Sequence, residues 1–236
     1  MAESTMRRHV FVYWPNIIGY IRIVLVSISW VVFKRPAFFI PLYSISILLD
    51  GVDGWVARRL EQTSRFGAWL DVVVDNLSRG MLWSMLFEWG WLVTAVEWCV
   101  FVCNHSARGA DWKSSFTTSP YLVRSIMAKG KAFNVTFVCL TDNLNTSTRS
   151  SFVFLCLQGF KTPLGAWVII GIHCLPLWLY GHRWGLLSAP LGLPPLIQTL
   201  GTLGLTAGRL LGLVAEVWCI WVHIKHLIDD EIEKKS

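Results

Sequence analysis

Charged residues are scarce in this chain. Asp, Glu, Lys and Arg make up only 15% of its 236 residues, against 54% hydrophobic and 14% aromatic residues. A soluble globular domain carries about 25% charged residues, so that class is excluded. Acidic residues are the scarcer sign, 15 against 21 basic ones, for a net charge of +6. The basic excess is scattered at loop edges and forms no stripe, which excludes a nucleic-acid surface. It fits instead the positive-inside bias of membrane proteins and contact with anionic lipid headgroups. The chain also lacks the His-Cys partner pattern of a zinc centre. Six cysteines stand at 99, 103, 139, 156, 174 and 219, mostly in apolar runs, and the Cys99 and Cys103 pair reads as small packing residues. Met1 to His9 is polar, and no cleavable signal pattern is expected there.

What is present is apolar sequence in long blocks. The fold class expected is all-α: a polytopic membrane protein, a bundle of about six transmembrane helices forming a single domain over 1–236. Pro15 suits the first turn of a helix, so Pro15 to Phe33 is the first span, closed by the polar break Lys34-Arg35-Pro36. Ala37 to Leu60, Phe66 to Glu88 and Trp91 to Cys103 follow, then Pro163 to Tyr180 and Leu196 to Val222. Trp83, Trp89, Trp91 and Trp98 read as interfacial anchors. Gly201, Gly204, Gly208 and Gly212 share one stripe of the last span, which suits a homodimer or packing within one subunit. Arg209 and Glu216, seven apart on that span, read as buried polar contacts. Lys225 to Ser236 reads as a charged tail. Residues 130–158 form an atypical insertion, neither a full span nor a clean loop, and a retained intron and a lineage-specific loop both account for it.

Four carboxylates interrupt the apolar blocks. They lie in Asp50-Gly-Val-Asp53-Gly54-Trp-Val-Ala57-Arg58 and, eight residues on, Gly67-Ala-Trp-Leu-Asp71-Val-Val-Val-Asp75. Bare carboxylates are costly in hydrocarbon and mark a site by default. Asp50, Asp53 and Ala57 fall at i, i+3 and i+7, and Gly67, Asp71 and Asp75 at i, i+4 and i+8, so each set lines one helix face. If Leu60 to Arg65 is the turn between two antiparallel helices, the two acidic stripes converge. Oxygen-only ligands suit a hard divalent ion, Mg²⁺ or Mn²⁺, rather than zinc. Gly54 and Gly67 then let a ligand approach the backbone, and the planar guanidinium of Arg58 suits a phosphate. Carboxylates, a divalent metal and a phosphate-binding Arg together describe metal-assisted phosphoryl-type transfer, with a spare carboxylate as proton acceptor. Arg22, inside the first span, needs a phosphate, an Asp partner or an escape to the headgroups.

The spacing D-x2-D-G-x2-A-R-x8-G-x3-D-x3-D resembles, at every defined position, the signature of the CDP-alcohol phosphatidyltransferases. The lead-in Trp14-Pro15-Asn16-Ile-Ile-Gly19-Tyr20-Ile-Arg22 and the run Thr63-Ser64-Arg65-Phe66-Gly67 resemble the eukaryotic phosphatidylinositol synthases within that family. The close resemblance covers roughly residues 10 to 80. It implies an enzyme that moves a phosphatidyl group from CDP-diacylglycerol to a small alcohol, myo-inositol, and releases CMP. It implies two divalent ions, with Asp50, Asp53 and Asp71 as ligands and Asp75 as the second ion's ligand and proton acceptor. Gly54, Arg58 and Ser64 would contact the donor, and Ala57 and Gly67 would make room for it. Residence in the endoplasmic reticulum membrane, with the site facing the cytoplasm, is implied as well. After Asp75 the chain reads Asn76-Leu77-Ser78-Arg79 where the inositol enzymes carry a basic residue and a Ser-Thr pair, which leaves glycerol phosphate, serine or another alcohol open as acceptor. A non-catalytic scaffold or lipid binder of the same fold is the contrasting reading.

Overall fold

The computed structural model describes residues 9–108, 121–127, 162–233 and 235; the atypical 130–158 segment, Asp111 and the side chains of His105 and Arg124 lie outside what is described. Among the described residues there are helices and no strands. They are α1 (Trp14–Val31), α2 (Pro36–Arg59), α3 (Arg65–Leu86), α4 (Gly90–Arg108), α5 (Tyr121–Met127), α6 (Pro163–Arg183) and α7 (Pro195–Glu233). The chain is thus an all-α polytopic membrane protein. Of these helices, α1, α2, α6 and α7 are long and apolar enough to cross a membrane by length and composition. α3 is as long but carries Arg65, Asp71, Asp75 and Arg79, and the apolar part of α4 is only Gly90–Cys103.

The chain divides after Met81 into two compact units. In the first, punctuation by proline sets the helix starts, because a proline in the first turn sacrifices no helical hydrogen bond. Pro15 opens α1 and Pro36 opens α2. α2 ends at Arg59, and Glu61 reverses the chain with φ of 55°. Two groups secure the reversal: the Gln62 N–H donates to the Ala57 carbonyl at 2.9 Å, and Gln62 Oε1 accepts from the otherwise orphaned Trp14 N–H at 3.0 Å. Ser64 then caps α3, its Oγ accepting from the Gly67 N–H at 2.9 Å. The expected turn between the acidic helices is therefore present.

The distribution of side chains in α1 is the reverse of a soluble helix. Ile21, Val24, Ile28 and Val31 are exposed, while Asn16, Arg22 and Ser29 are buried. Apolar residues facing outward around a polar interior are what a lipid solvent selects. Phe39 stacks on Tyr43 and meets Phe33 edge-on, and these three aromatics are buried.

In the second unit, α6 and α7 cross at glycine. A Cβ on Gly171 would stand 2.6 Å from the Arg209 nitrogen, and one on Gly208 would stand 2.8 Å from the Trp167 carbonyl oxygen. Only glycine lets the two backbones approach so closely. Gly212 also faces α6, at Ile172 and Val168, so Gly208 and Gly212 of the stripe pack within the subunit. Val168, Ala215 and Ile126 of α5 form the core where α5, α6 and α7 meet. Thr162 caps α6 through the Gly165 N–H.

One expectation is corrected here, and one is extended. Trp83 is buried at 3% exposure, packed with Phe87 and Trp89, so it belongs to the core rather than to an interfacial belt. The charged stretch from Lys225 is helical as far as Glu233: α7 runs on because Leu, Lys and Glu favour helix and no Gly or Pro interrupts them.

Candidate functional site

α2 and α3 deliver the four carboxylates to one place. Carboxylate oxygens of Asp50, Asp53 and Asp71 lie within 4.8 Å of one another. Asp75 joins them through a shared partner, Arg22 of α1. Arg22 Nη1 lies 2.9 Å from Asp53 Oδ2 and 3.0 Å from Asp71 Oδ1. Its Nη2 lies 2.8 Å from Asp50 Oδ1 and 2.6 Å from Asp75 Oδ1. The guanidinium is 2% exposed, so it does not snorkel. Arg79, one turn beyond Asp75, reaches Asp75 Oδ2 at 3.3 Å and donates to Asn76 Oδ1 at 2.7 Å.

The donor set fits a hard divalent cation. It is all oxygen and all anionic, drawn from two helices and crowded into a few ångströms. In the described ion pairs of this cluster, four carboxylates face two guanidiniums, those of Arg22 and Arg79. Four carboxylates crowded together in a membrane-spanning region call for positive charge.

Beside the acids lies a cavity of about 160 Å³. Gly54, Ala57, Arg58, Ser64 and Gly67 all line it, together with Asp53 and Asp71, so every residue expected to contact a donor shares one wall. Asp50 and Asp75 are outside that lining. The two glycines also serve the protein itself. A Cβ on Gly54 would meet the Arg58 guanidinium at 3.4 Å, so the missing side chain lets Arg58 fold back along α2. A Cβ on Gly67 would stand 2.8 Å from Asn16 Oδ1 and 3.1 Å from Ser64 Oγ. Asn16 is buried, lines the same cavity, donates from Nδ2 to the Val10 carbonyl, and leaves its Oδ1 without a hydrogen-bond partner.

Asn16, Arg79 and the central place of Arg22 are what spacing alone does not show. Arg22 is visible in the sequence as a charge in an apolar span, but its four acids sit on other helices. For Asn16 the signals are a polar residue after a helix-opening proline and its place in the lead-in that carries the resemblance.

The model of the family described as CDP-alcohol phosphatidyltransferase matches residues 12–178, more than half of the chain. The chain belongs to this family. Among curated members of the CDP-alcohol phosphatidyltransferases, the chain is 42% identical over 100 residues to the Saccharomyces cerevisiae CDP-diacylglycerol--inositol 3-phosphatidyltransferase, covering 42% of this chain and 43% of the yeast protein. It is 46% identical over 80 residues to the Arabidopsis thaliana CDP-diacylglycerol--inositol 3-phosphatidyltransferase 1, covering 34% and 35% of the two chains. The human enzyme of the same name is 44% identical over 71 residues, covering 30% and 33%. The chain thus matches less than half the length of these relatives. No solved structure matches it.

Proposed function

We propose that this family member is a phosphatidyltransferase that moves the phosphatidyl group of CDP-diacylglycerol to a small alcohol, myo-inositol, and releases CMP. The observation that carries the reading is the convergence of Asp50, Asp53 and Asp71 within 4.8 Å beside a cavity walled by Gly54, Ala57, Arg58, Ser64 and Gly67. Inositol as acceptor is supported by the names of the relatives.

In this reading the donor's cytidine diphosphate enters the cavity, where Gly54, Ala57 and Gly67 leave room and Arg58 and Ser64 contact it. Asp50, Asp53 and Asp71 would hold divalent cations, Mg²⁺ or Mn²⁺, with Asp75 as ligand of the second. When bound, those ions supply charge neutralisation for the pyrophosphate. Asp75 takes the proton of the acceptor hydroxyl as its oxygen bonds to the phosphatidyl phosphorus. The bond to the CMP oxygen breaks, and CMP leaves with that electron pair. The reading requires no covalent enzyme intermediate. The protein is assigned to the endoplasmic reticulum membrane with the site facing the cytoplasm, consistent with Arg58, Arg59 and Arg65 flanking the turn at that end. A single domain over 1–236 goes with the assignment.

The test uses purified full-length protein in detergent with CDP-diacylglycerol, Mn²⁺ and a panel of labelled alcohols. The expected result is CMP together with labelled phosphatidylinositol. Product with glycerol phosphate or serine instead would move the acceptor assignment, and no CMP with any alcohol would leave the scaffold or lipid-binding reading.

A further inference from the structure

We propose that Arg22 is the built-in counter-cation of the carboxylate cluster, holding the four acids together and competing with a divalent cation for their oxygens. The proposal rests on reading these acids as a metal site.

The contacts have a pattern. Each terminal nitrogen of the guanidinium takes one acid from each helix: Nη1 takes Asp53 of α2 and Asp71 of α3, and Nη2 takes Asp50 of α2 and Asp75 of α3. One planar fork from α1 therefore ties α2 to α3 twice. Four acids brought together without such a cation would repel one another strongly in a medium of low dielectric constant. Burial at 2% exposure keeps water from taking over the task. The Nε of Arg22 is buried and makes no hydrogen bond, so the acids hold the head of the side chain.

Competition follows from the same distances. The oxygens of Asp50, Asp53 and Asp71 that can meet at one cation are drawn from a cluster already within 3.0 Å of a guanidinium nitrogen. A divalent ion on those oxygens and the guanidinium would be like charges in near contact, so the guanidinium must yield part of its hold as the ion enters. Arg22 is thus a positioning residue, acting on the reaction through the acids.

The experiment titrates Mn²⁺ alone into the purified full chain in detergent and reads free Mn²⁺ by electron paramagnetic resonance. The variants are Arg22→Gln, Arg22→Lys and Asp53→Asn. Arg22→Gln is expected to bind Mn²⁺ at least about tenfold more tightly than wild type and to melt at a lower temperature without metal. A purely structural Arg22 would have the opposite effect on affinity. Folded Arg22→Gln with equal or weaker Mn²⁺ binding overturns the proposal. Should Arg22→Gln not fold, Arg22→Lys decides: an ammonium cannot span four acids in one plane, so tighter binding supports the competition and unchanged or weaker binding overturns it. If wild type and the Arg22 variants bind no Mn²⁺ beyond the level of Asp53→Asn, the metal-site reading itself falls.

Discussion

The space beside Gly67 is filled by Asn16, whose Oδ1 lies 2.8 Å from where a Cβ at residue 67 would stand. Asn16 is buried and tied to the Val10 carbonyl, so it cannot step aside cheaply. In Gly67→Ala, overpacking of about 1–3 kcal/mol therefore outweighs the gain in helix propensity, worth about 1 kcal/mol. A lower melting temperature in detergent is expected. Gly54→Ala meets only the guanidinium of Arg58, at 3.4 Å, an ordinary contact; its melting temperature is expected not to fall while donor affinity does. Equal melting of both variants and wild type would contradict the packing argument.

Ser64 carries two tasks that substitution separates. Ser64→Ala removes the cap on α3 and is expected to lower stability by about 1 kcal/mol. Ser64→Asp keeps an oxygen for the Gly67 N–H and restores that stability, yet places a carboxylate beside the donor phosphates. Thermal melts and CMP release, measured on both variants, should diverge for Asp and fall together for Ala.

Asp75 is the assigned proton acceptor, and Asp75→Asn is expected to abolish CMP release while equilibrium binding of CDP-diacylglycerol is largely kept. Undiminished turnover would refute the role. Because Asp75 also faces Arg22 and Arg79, gel filtration should accompany the assay to separate lost chemistry from lost folding.

In the second unit, Arg209 Nη1 lies 3.0 Å from Glu216 Oε2, and its Nη2 lies 3.5 Å from Glu97 Oε1. Arg209→Met leaves two acids without this cation among apolar helices and is expected to cost about 3–5 kcal/mol. Arg209→Lys should recover part of that, and a melting series in detergent would show it. A neutral Arg209→Met would mean that water reaches the triad.

How much of this was legible in the sequence follows from the range of each interaction. Pro15, Pro36, Pro163 and Pro195 act on their own helix, so the starts of α1, α2, α6 and α7 can be read within a residue or two. The acidic stripes can be read as well, because helical period alone puts Asp50 with Asp53 and Asp71 with Asp75. Arg209 and Glu216 share one face and were legible as partners, whereas Glu97 arrives from α4 and was not. The four-way hold of Arg22 depends on three helices at once, and no local pattern encodes it. Trp83 misleads because a tryptophan near the end of a span is interfacial by default, and only tertiary packing with Phe87 and Trp89 buries it.

The reversal at Glu61 gives the acidic helices a rotational phase. Each residue advances a helix by about 100°, and the segment from Leu60 to Ser64 is pinned at one end by the Gln62 bond to Trp14 and at the other by the Ser64 cap. Adding or deleting one residue there would turn α3 like a key in its lock, sweeping Asp71 and Asp75 away from their counterparts on α2 without altering a single acidic side chain.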